Sequence, residues 1–296
     1  MIPPINLVGG AWISTDGSLT WTPAQGGPSL AGAVATNAKG TVLLAVPGMD
    51  DSGAGIWTSA SSGATWTVPT SPAAFNGWSS VASDSTGTHL VAAAAFGDIW
   101  TSTDFGASWT DQTASGPAHS LNWVSIASSS DGSHLVAAQG GGFVVAGDGA
   151  TGDIWTSSDS GVTWTDRTAS GAPHNLSWSS VASDAAGTNL IAVGSGIWTS
   201  SDSGVTWTQQ ATDLIAYSWV SVASNSDGTQ LIAASQTQIG GPGDLWTSYD
   251  SGVTWTNSTA GTPAAAQQWT AVAATQTEIG SFVAVAMRGD IWTMFR

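Results

Sequence analysis

The feature that most constrains this chain is a phrase that recurs along its length. It reads GDIWTSTDFGASWT at 97–110, and the sequence closes on a truncated version, GDIWTMFR. Full related versions occupy 11–22, 55–67, 152–165, 195–208 and 243–256. The tryptophans that open these copies lie 43 to 55 residues apart. That spacing is close to the length of one four-stranded propeller blade, about 40–50 residues.

A second phrase lies between the copies and completes the repeat. It reads WSSVASDSTGTHLVAA at 78–93 and recurs at 123–138, 178–193 and 219–234. Two short β-rich runs joined by a polar, glycine-containing turn are typical of a hairpin. Each repeat is therefore predicted to be a meander of four strands, A, B, C and D from the inside outward. The sequence predicts an all-β fold, a β-propeller of four-stranded antiparallel blades, as one domain over 1–296.

The tryptophans support a structural role for the repeat. All 18 fall into its registers, five at the start of strand A, seven in strand C and six in strand D. A buried indole covers roughly 150–250 Å², so rings at these positions can replace much of the aliphatic bulk between blades. An aromatic binding platform would need tryptophans that break the pattern, and none do.

The number of blades is less firmly determined by the sequence. Strands A and D occur six times, whereas B and C occur seven times if the weak run Asn6–Val8 is the first B strand. Seven blades with incomplete terminal blades are favoured, and six are the alternative. In a six-bladed ring the strand around Trp21 would complete the last blade. The Trp12 strand would then be redundant with the Trp292 strand.

Within the repeat, the pattern S-x-D-x-G-x-x-W resembles the Asp box, also called the BNR repeat. Four strong copies carry it, with aspartates at Asp104, Asp159, Asp202 and Asp250. An aspartate at a turn accepts backbone N–H bonds, and glycine supplies conformational freedom. Ser61 replaces the aspartate in one copy, and glycine follows Asp16 one place early in another, so looser turns are expected there.

This resemblance implies a fold but not a function. Asp-box propellers include sialidases, sortilin-type receptors, xyloglucan-cleaving hydrolases and photosystem II assembly factors. The resemblance places the Asp boxes in the C–D turns, on the face opposite the usual ligand site. A sialidase uses three arginines, a tyrosine nucleophile and a glutamate. Here there are three arginines in all, one of them the final residue, and a single Glu, Glu278, which argues against that activity.

Charge and composition exclude several other classes. The net charge is −16 with only four Lys and Arg, so the phosphates of nucleic acid or an anionic membrane cannot be neutralised. No stretch of 18 apolar residues occurs, and the first residues, MIPPINLVGG, have neither a basic region nor a long apolar run, so we expect no membrane-spanning helix and no signal peptide. The absence of cysteine excludes disulfides and thiolate metal sites. We expect no cofactor, no metal and an extracellular or cell-surface location.

The candidate site lies in the loops that vary between copies. The A–B and C–D turns are nearly invariant, whereas the B–C and D–A loops differ in length and sequence, and loops on a rigid scaffold commonly carry recognition. Two similar D–A loops place His119 and His174 in equivalent positions. Each is either a ligand contact, part of a two-histidine metal site or an exposed residue of a duplicated loop. The remaining candidate ligand-binding residues are Asp50, Asp51, Asp148, Asp213 and Tyr217.

The functional expectation is a non-catalytic extracellular binding module whose ligand is a glycan or, next, a protein. One alternative is a structural or assembly subunit, with incomplete terminal blades mediating oligomers. Another is a glycoside hydrolase, because hydrolysis needs only two carboxylates across a cleft. The four aspartates that occupy no repeat position are the candidates for that chemistry: Asp50, Asp51, Asp148 and Asp213.

Overall fold

A computed structural model describes most of the chain. The described residues are 11–16, 20–28, 31–47, 55–69, 77–140, 152–169, 173–214, 217–237, 241–275, 281–286 and 291–294. They form strands and turns, with one short 3₁₀ helix at Thr212–Leu214. This agrees with the all-β class that the repeat predicts.

The strands follow one another as hairpins. Near the N-terminus they are β1 (Trp12–Ile13), β2 (Thr22–Pro23), β3 (Ala31–Thr36), β4 (Leu43–Pro47) and β5 (Trp57–Ser59). The next two repeats give β6 (Trp78–Ser83), β7 (Leu90–Ala94), β8 (Ile99–Ser102), β9 (Thr110–Asp111), β10 (Trp123–Ser128), β11 (Leu135–Gln139), β12 (Ile154–Ser157) and β13 (Thr165–Asp166).

The second half of the chain continues in the same way. Its first two repeats give β14 (Trp178–Ser183), β15 (Leu190–Gly194), β16 (Ile197–Ser200), β17 (Thr208–Gln210), β18 (Ser218–Ser224), β19 (Leu231–Gln236), β20 (Leu245–Ser248) and β21 (Thr256–Asn257). The last strands are β22 (Trp269–Ala274), β23 (Phe282–Ala286) and β24 (Ile291–Met294).

In the part of the chain that the structure describes, these strands form six blades of a β-propeller. Four sheets have four strands in sequence order, β6–β9, β10–β13, β14–β17 and β18–β21, and two have three, β3–β5 and β22–β24. Six blades is the alternative that the sequence left open, and the seven blades that it favoured are not found among the described strands. The reason lies in the first hairpin, because β1 and β2 form a separate two-stranded sheet in the described chain. The run Asn6–Val8 lies outside the described residues.

By its contacts the chain divides into two compact units. The first comprises residues 1–3, 7–135 and 157–164, and the second 4–6, 136–156 and 165–296. In the first unit, a core cluster joins Leu44 and Ile56 of one blade to Trp78 and Leu90 of the next. In the second, Ile191 and Trp219 lie in a cluster of the same kind. The single-domain expectation for 1–296 stays a prediction.

The tryptophans of strand A are the largest buried groups of the fold. Trp123, Trp219 and Trp269 are almost fully buried. Strand B is correspondingly lined with small residues, and Ala92 and Ala233 are completely inaccessible. Large rings beside alanine fill the space between sheets at the density that protein interiors require. The tryptophan registers are therefore structural, as their sequence positions predict.

The Asp box forms one hydrogen-bonded turn between strands C and D. Asp104 Oδ1 accepts the Ser102 hydroxyl and the Ser108 N–H, each at 2.8 Å, and Gly106 N–H donates to Ser102 Oγ at 2.9 Å. A Cβ on Gly106 would overlap Thr58 of the preceding blade. The glycine therefore serves both the turn, with φ +83°, and the contact between blades.

The same turn is kept where the motif departs from its consensus. Ser61 Oγ accepts the Thr65 N–H at 2.9 Å, and Gly63 N–H donates to Ser59 Oγ at 2.9 Å. Near the N-terminus, Asp16 Oδ1 accepts the Thr20 N–H at 2.9 Å. The expected loosening is therefore not seen at Ser61, because a hydroxyl supplies the acceptor that the carboxylate supplies elsewhere.

Neighbouring A–B turns hydrogen-bond to each other. Ser85 N–H donates to Ser130 O at 2.8 Å, and Ala185 N–H donates to Ser226 O at 2.8 Å. This contact gives a physical reason why the A–B turns vary so little between repeats. Among the described residues there is no helix with the length and apolar character needed to cross a membrane.

Candidate functional site

Three D–A loops are built on one framework. In the first, Thr113 is buried, its hydroxyl accepts the Ile99 N–H at 2.9 Å, and it donates to Asp98 at 3.1 Å. Thr168 repeats both bonds with Ile154 and Asp153, and Thr259 repeats them with Leu245 and Asp244. The hydroxyl thereby fixes the loop to the start of strand C in each of these blades.

A second acceptor at the start of each loop completes the framework. Asp111 and Asp166 accept the N–H of the threonine two residues on at 3.0 and 2.9 Å, and Asn257 does the same at 3.0 Å. Burial, with a smaller contribution from the neighbouring Asp98, raises the pKa of Asp111. Burial likewise raises the pKa of Asp166. Since an amide serves in the third loop, an acceptor is required there and not a negative charge.

Each loop ends on a residue in the left-handed region. Ser120, Asn175 and Ala266 have φ values of 54°, 53° and 57°. The next residue in each loop pairs with a glycine that precedes strand C, as Leu121 does with Gly97. The three loops therefore share these anchoring contacts, although the first and third differ at the tip, where Gly116 has a positive φ in the first and Gly261, one register position earlier, has it in the third.

The two predicted histidines sit at the same place on this framework. His119 Nδ1 lies 2.9 Å from Asp98 Oδ1, and His174 Nδ1 lies 3.0 Å from Asp153 Oδ1. Their side chains are 48% and 37% exposed. The third loop has Ala265 at this position and keeps the same anchoring hydrogen bonds. The histidines are therefore not needed to form the loop.

The short B–C turn beside the first of these loops presents an exposed aromatic ring. Phe96 is 55% exposed and has φ +54°, a conformation that is a genuine outlier for a bulky residue. Its neighbour Gly97 donates its N–H to Leu121 O at 3.1 Å. Phe96 and His119 thus belong to two loops that hydrogen-bond to each other.

The other predicted residues are distributed differently. Asp213 is exposed on the 3₁₀ helix. Tyr217 is half-buried, and its ring lies against Trp246 with centroids 5.4 Å apart and against Trp219 at 6.1 Å, so much of the ring serves packing. Asp50, Asp51 and Asp148 lie outside the described residues. Binding roles for all of these residues stay predictions.

Sequence reasoning missed Phe96 and the roles of Asp98 and Asp153. The signal for Phe96 was an aromatic side chain directly before the glycine that precedes strand C, where the other copies have Ala54, Thr151, Ser195, Pro242 and Arg288. The signal for the aspartates was their recurrence 21 residues before each histidine. In the described ranges, no three His, Asp or Glu side chains are grouped in a way that would hold a metal ion.

Comparison with known proteins supports this architecture. The family model described as BNR-Asp box repeat matches residues 99–112, which are strand C, the Asp-box turn and strand D of one blade. A comparison of the sequence with curated proteins gives no match. With the motif and the blades on the same chain, the protein is an Asp-box β-propeller.

Solved structures of similar fold have diverse roles. The GH74 xyloglucanase from Xanthomonas campestris is 16% identical, with a TM-score of 0.70 over 98% of this chain and 49% of that chain. An ancestral GH74 enzyme is matched over 37% of its length, so the chain spans less than half of either enzyme. YCF48 bound to a D1 peptide is 14% identical, with a TM-score of 0.67 over 98% of this chain and 88% of that chain.

A further similar structure comes from a nidogen/laminin complex. It is 12% identical, with a TM-score of 0.57 over 80% of this chain and 82% of that chain. At these identities the similarity shows the fold alone. Enzymes and protein-binding modules share this scaffold, so the function has to be argued from this chain's own loops.

Proposed function

We propose that this chain is a non-catalytic binding module that holds its ligand on the B–C and D–A loops. The observation that carries the proposal is the shared D–A framework. The threonine and the aspartate that fix each loop recur in three blades, whereas the residue at the histidine position changes from His119 and His174 to the half-buried Ala265. A constant framework with variable exposed residues is the arrangement expected of recognition loops.

The ligand class that fits best is a neutral glycan, and the expected location is extracellular or at a cell surface. The loops offer acceptors and hydroxyls, such as Asp98, His119 and Ser120, beside the exposed Phe96 ring. Ligand sites commonly combine apolar surface with a few placed polar groups. The four Lys and Arg against 20 Asp and Glu disfavour sialylated or sulfated glycans, because the site offers few counter-charges.

A glycan array of neutral, sialylated and sulfated structures tests this proposal. We expect signals confined to neutral glycans, with the bound glycan recovered intact. Signals on anionic glycans alone would contradict the charge argument. Cleavage of a bound oligosaccharide would instead support the hydrolase alternative, in which loop aspartates act on the substrate, and the single variants Asp213→Asn and Asp148→Asn would then identify its acid and base.

A protein partner is the second candidate, and β3 favours it. Every second residue of this innermost strand is exposed, including Val34 at 64%, whereas Trp78, Val81 and Ala82 of β6 are buried. An exposed strand face in the inner position is one that another chain can cover. The propellers found with a D1 peptide and in a nidogen/laminin complex are consistent with such use of the scaffold.

Light scattering over a range of concentrations tests whether that partner is a second copy. Association should raise the mass with concentration, and Val34→Asp should abolish the increase without changing the unfolding midpoint. Val205→Asp is the matched control, because Val205 is 58% exposed in a C–D turn. A strict monomer at every concentration would contradict self-association.

A further inference from the structure

The B–C turn after β7 holds Phe96 in a strained and exposed position. The left-handed conformation costs a non-glycine residue about 1–2 kcal/mol. Phe96 gains little from burial in return, because it is 55% exposed. Glycine, which is free of this cost, is common in the chain's other tight turns. Phe96 differs from Phe105, which is also exposed with a positive φ, in its place on the variable loop face, next to the D–A loop that carries His119.

The polar half of the site is His119 with Ser120. A carboxylate only accepts hydrogen bonds, so Asp98 fixes the proton of the neutral imidazole on Nδ1. Nε2 then carries a lone pair, and it lies 3.1 Å from Ser120 Oγ. The Ser120 hydroxyl therefore donates to Nε2, and its oxygen can accept a hydrogen bond from a ligand hydroxyl.

The framework orients these groups without depending on them. Asp98 Oδ1 also accepts the Ser120 N–H at 3.0 Å and the Thr113 hydroxyl at 3.1 Å, so the carboxylate stays in place without the imidazole. Ala118, just before the histidine, is buried and anchors the loop. No Lys or Arg occurs between Lys39 and Arg167, so the surrounding segment carries no positive side chain.

From this arrangement we propose that Phe96, His119 and Ser120 form the contact site for a single neutral sugar residue. The apolar C–H face of the pyranose lies on the Phe96 ring, and one of its hydroxyls donates to Ser120 Oγ, which His119 Nε2 orients by accepting the serine hydroxyl. This inference rests on the proposed function and narrows it to one blade. A peptide ligand is the competing outcome of the test.

The experiment compares two site variants with two matched controls on the neutral glycan array. Phe96→Gly removes the ring and relieves the strained backbone, and His119→Ala makes the first loop like the third, which has Ala265. Phe105→Ser is the aromatic control, since Phe105 is also exposed with φ +60° but lies in an Asp box where Ser160, Ser203 and Ser251 stand in other copies.

The histidine control is His89→Asn in an A–B turn. His89 Nδ1 is 3.0 Å from Asp84, and Asn189 makes the equivalent bond to Asp184 at 2.7 Å. We expect Phe96→Gly and His119→Ala each to weaken the strongest array signal at least tenfold, with an unfolding midpoint equal to or above that of the wild type. The two controls should keep the wild-type signal.

The possible results distinguish failure of this site from failure of glycan binding by the chain as a whole. If both site variants kept the wild-type signal, this site would be wrong, and the glycan would bind to another loop. A blank wild-type array would overturn the glycan ligand itself, and with it this inference. Loss of signal in the controls as well as in the site variants would also contradict it, because the site would then not be confined to Phe96 and His119.

Discussion

At the scale of the residue, the repeats supply internal comparisons for almost every polar group. Asp111 and Asn257 occupy the same position, and each accepts a threonine N–H at 3.0 Å. Asp104 and Ser61 are related in the same way in the Asp box. Such pairs show that the position requires a hydrogen-bond acceptor that reaches the N–H. They also show that this acceptor need not carry a charge.

Asp111→Asn should therefore stabilise the protein at neutral pH. The pKa of Asp111 is raised by burial and by Asp98, so its contribution to stability is fully present below pH 3.8 and is lost as the pH rises through the folded-state pKa. The amide keeps the Thr113 bond and removes the buried charge. We expect a gain of no more than about 1 kcal/mol at pH 7 and none at pH 3, measured by urea unfolding.

Asp104→Asn is the matched control. Hydrogen bonds from Ser108 hold the pKa of Asp104 below its usual range, so the charged form is the stabilising one and the amide should destabilise at pH 7. A loss of stability at pH 7 in both variants would contradict the distinction between the two aspartates.

At the scale of the element, one hydroxyl joins each D–A loop to its blade. Thr113→Val should cost about 2–3 kcal/mol in the free energy of unfolding, because the Ile99 N–H and the Asp98 carboxylate each lose a partner in a buried place. Thr113→Ser keeps the hydroxyl and should cost less than about 1 kcal/mol. A loss in Thr113→Ser as large as that in Thr113→Val would contradict the importance of the hydroxyl's two bonds, because the serine keeps them.

The Asp-box turn joins neighbouring blades through its glycine. Gly106→Ala should cost about 2–4 kcal/mol, because left-handed strain adds to overlap with Thr58. Gly116→Ala is the control for strain alone, since it has φ +98° and nothing within 4 Å of the added methyl group, and it should cost about 1–2 kcal/mol. Thermal unfolding of both variants measures the difference, and similar losses would argue against a tight contact between blades at Gly106.

At the scale of the whole molecule, the turn aspartates determine stability in acid. The hydroxyl of Ser129, together with the N–H and hydroxyl of Ser133, lowers the pKa of Asp131 to about 2. The pKa of Asp250 is lowered by Thr254 in the same way. Groups of this kind stabilise the fold above pH 3.8, and their contribution is lost as the pH falls through the folded-state pKa.

The free energy of unfolding should therefore fall between about pH 4 and pH 2. Asp131→Asn should reduce that dependence by about 1 kcal/mol after allowance for solvent screening, since the carboxylate is exposed. Urea titrations at pH 2, 3, 4 and 7 measure the effect. A variant with an unchanged pH profile would contradict the role assigned to Asp131.

The sequence predicted the blade in detail because each of its parts is a local pattern. The hairpins, the tryptophan registers and the Asp-box turns depend on residues within one repeat, and β6–β9 follow the predicted A, B, C and D runs. The histidine positions were likewise predictable from two similar loops. Phe96 was not, because its exposure and backbone strain come from how its turn meets the loop at Leu121.

The sequence by itself thus determined the fold class and the repeat registers of all 18 tryptophans, and it predicted the loops in which a site should be sought. Only the tertiary structure decided that the described strands form six blades and that β1 and β2 join none of them, because the sheet that a hairpin joins depends on distant segments and has no local signature. It also showed that Asp98 and Asp153 hold the histidines, an interaction across 21 residues that exists only once strand C and the D–A loop have come together.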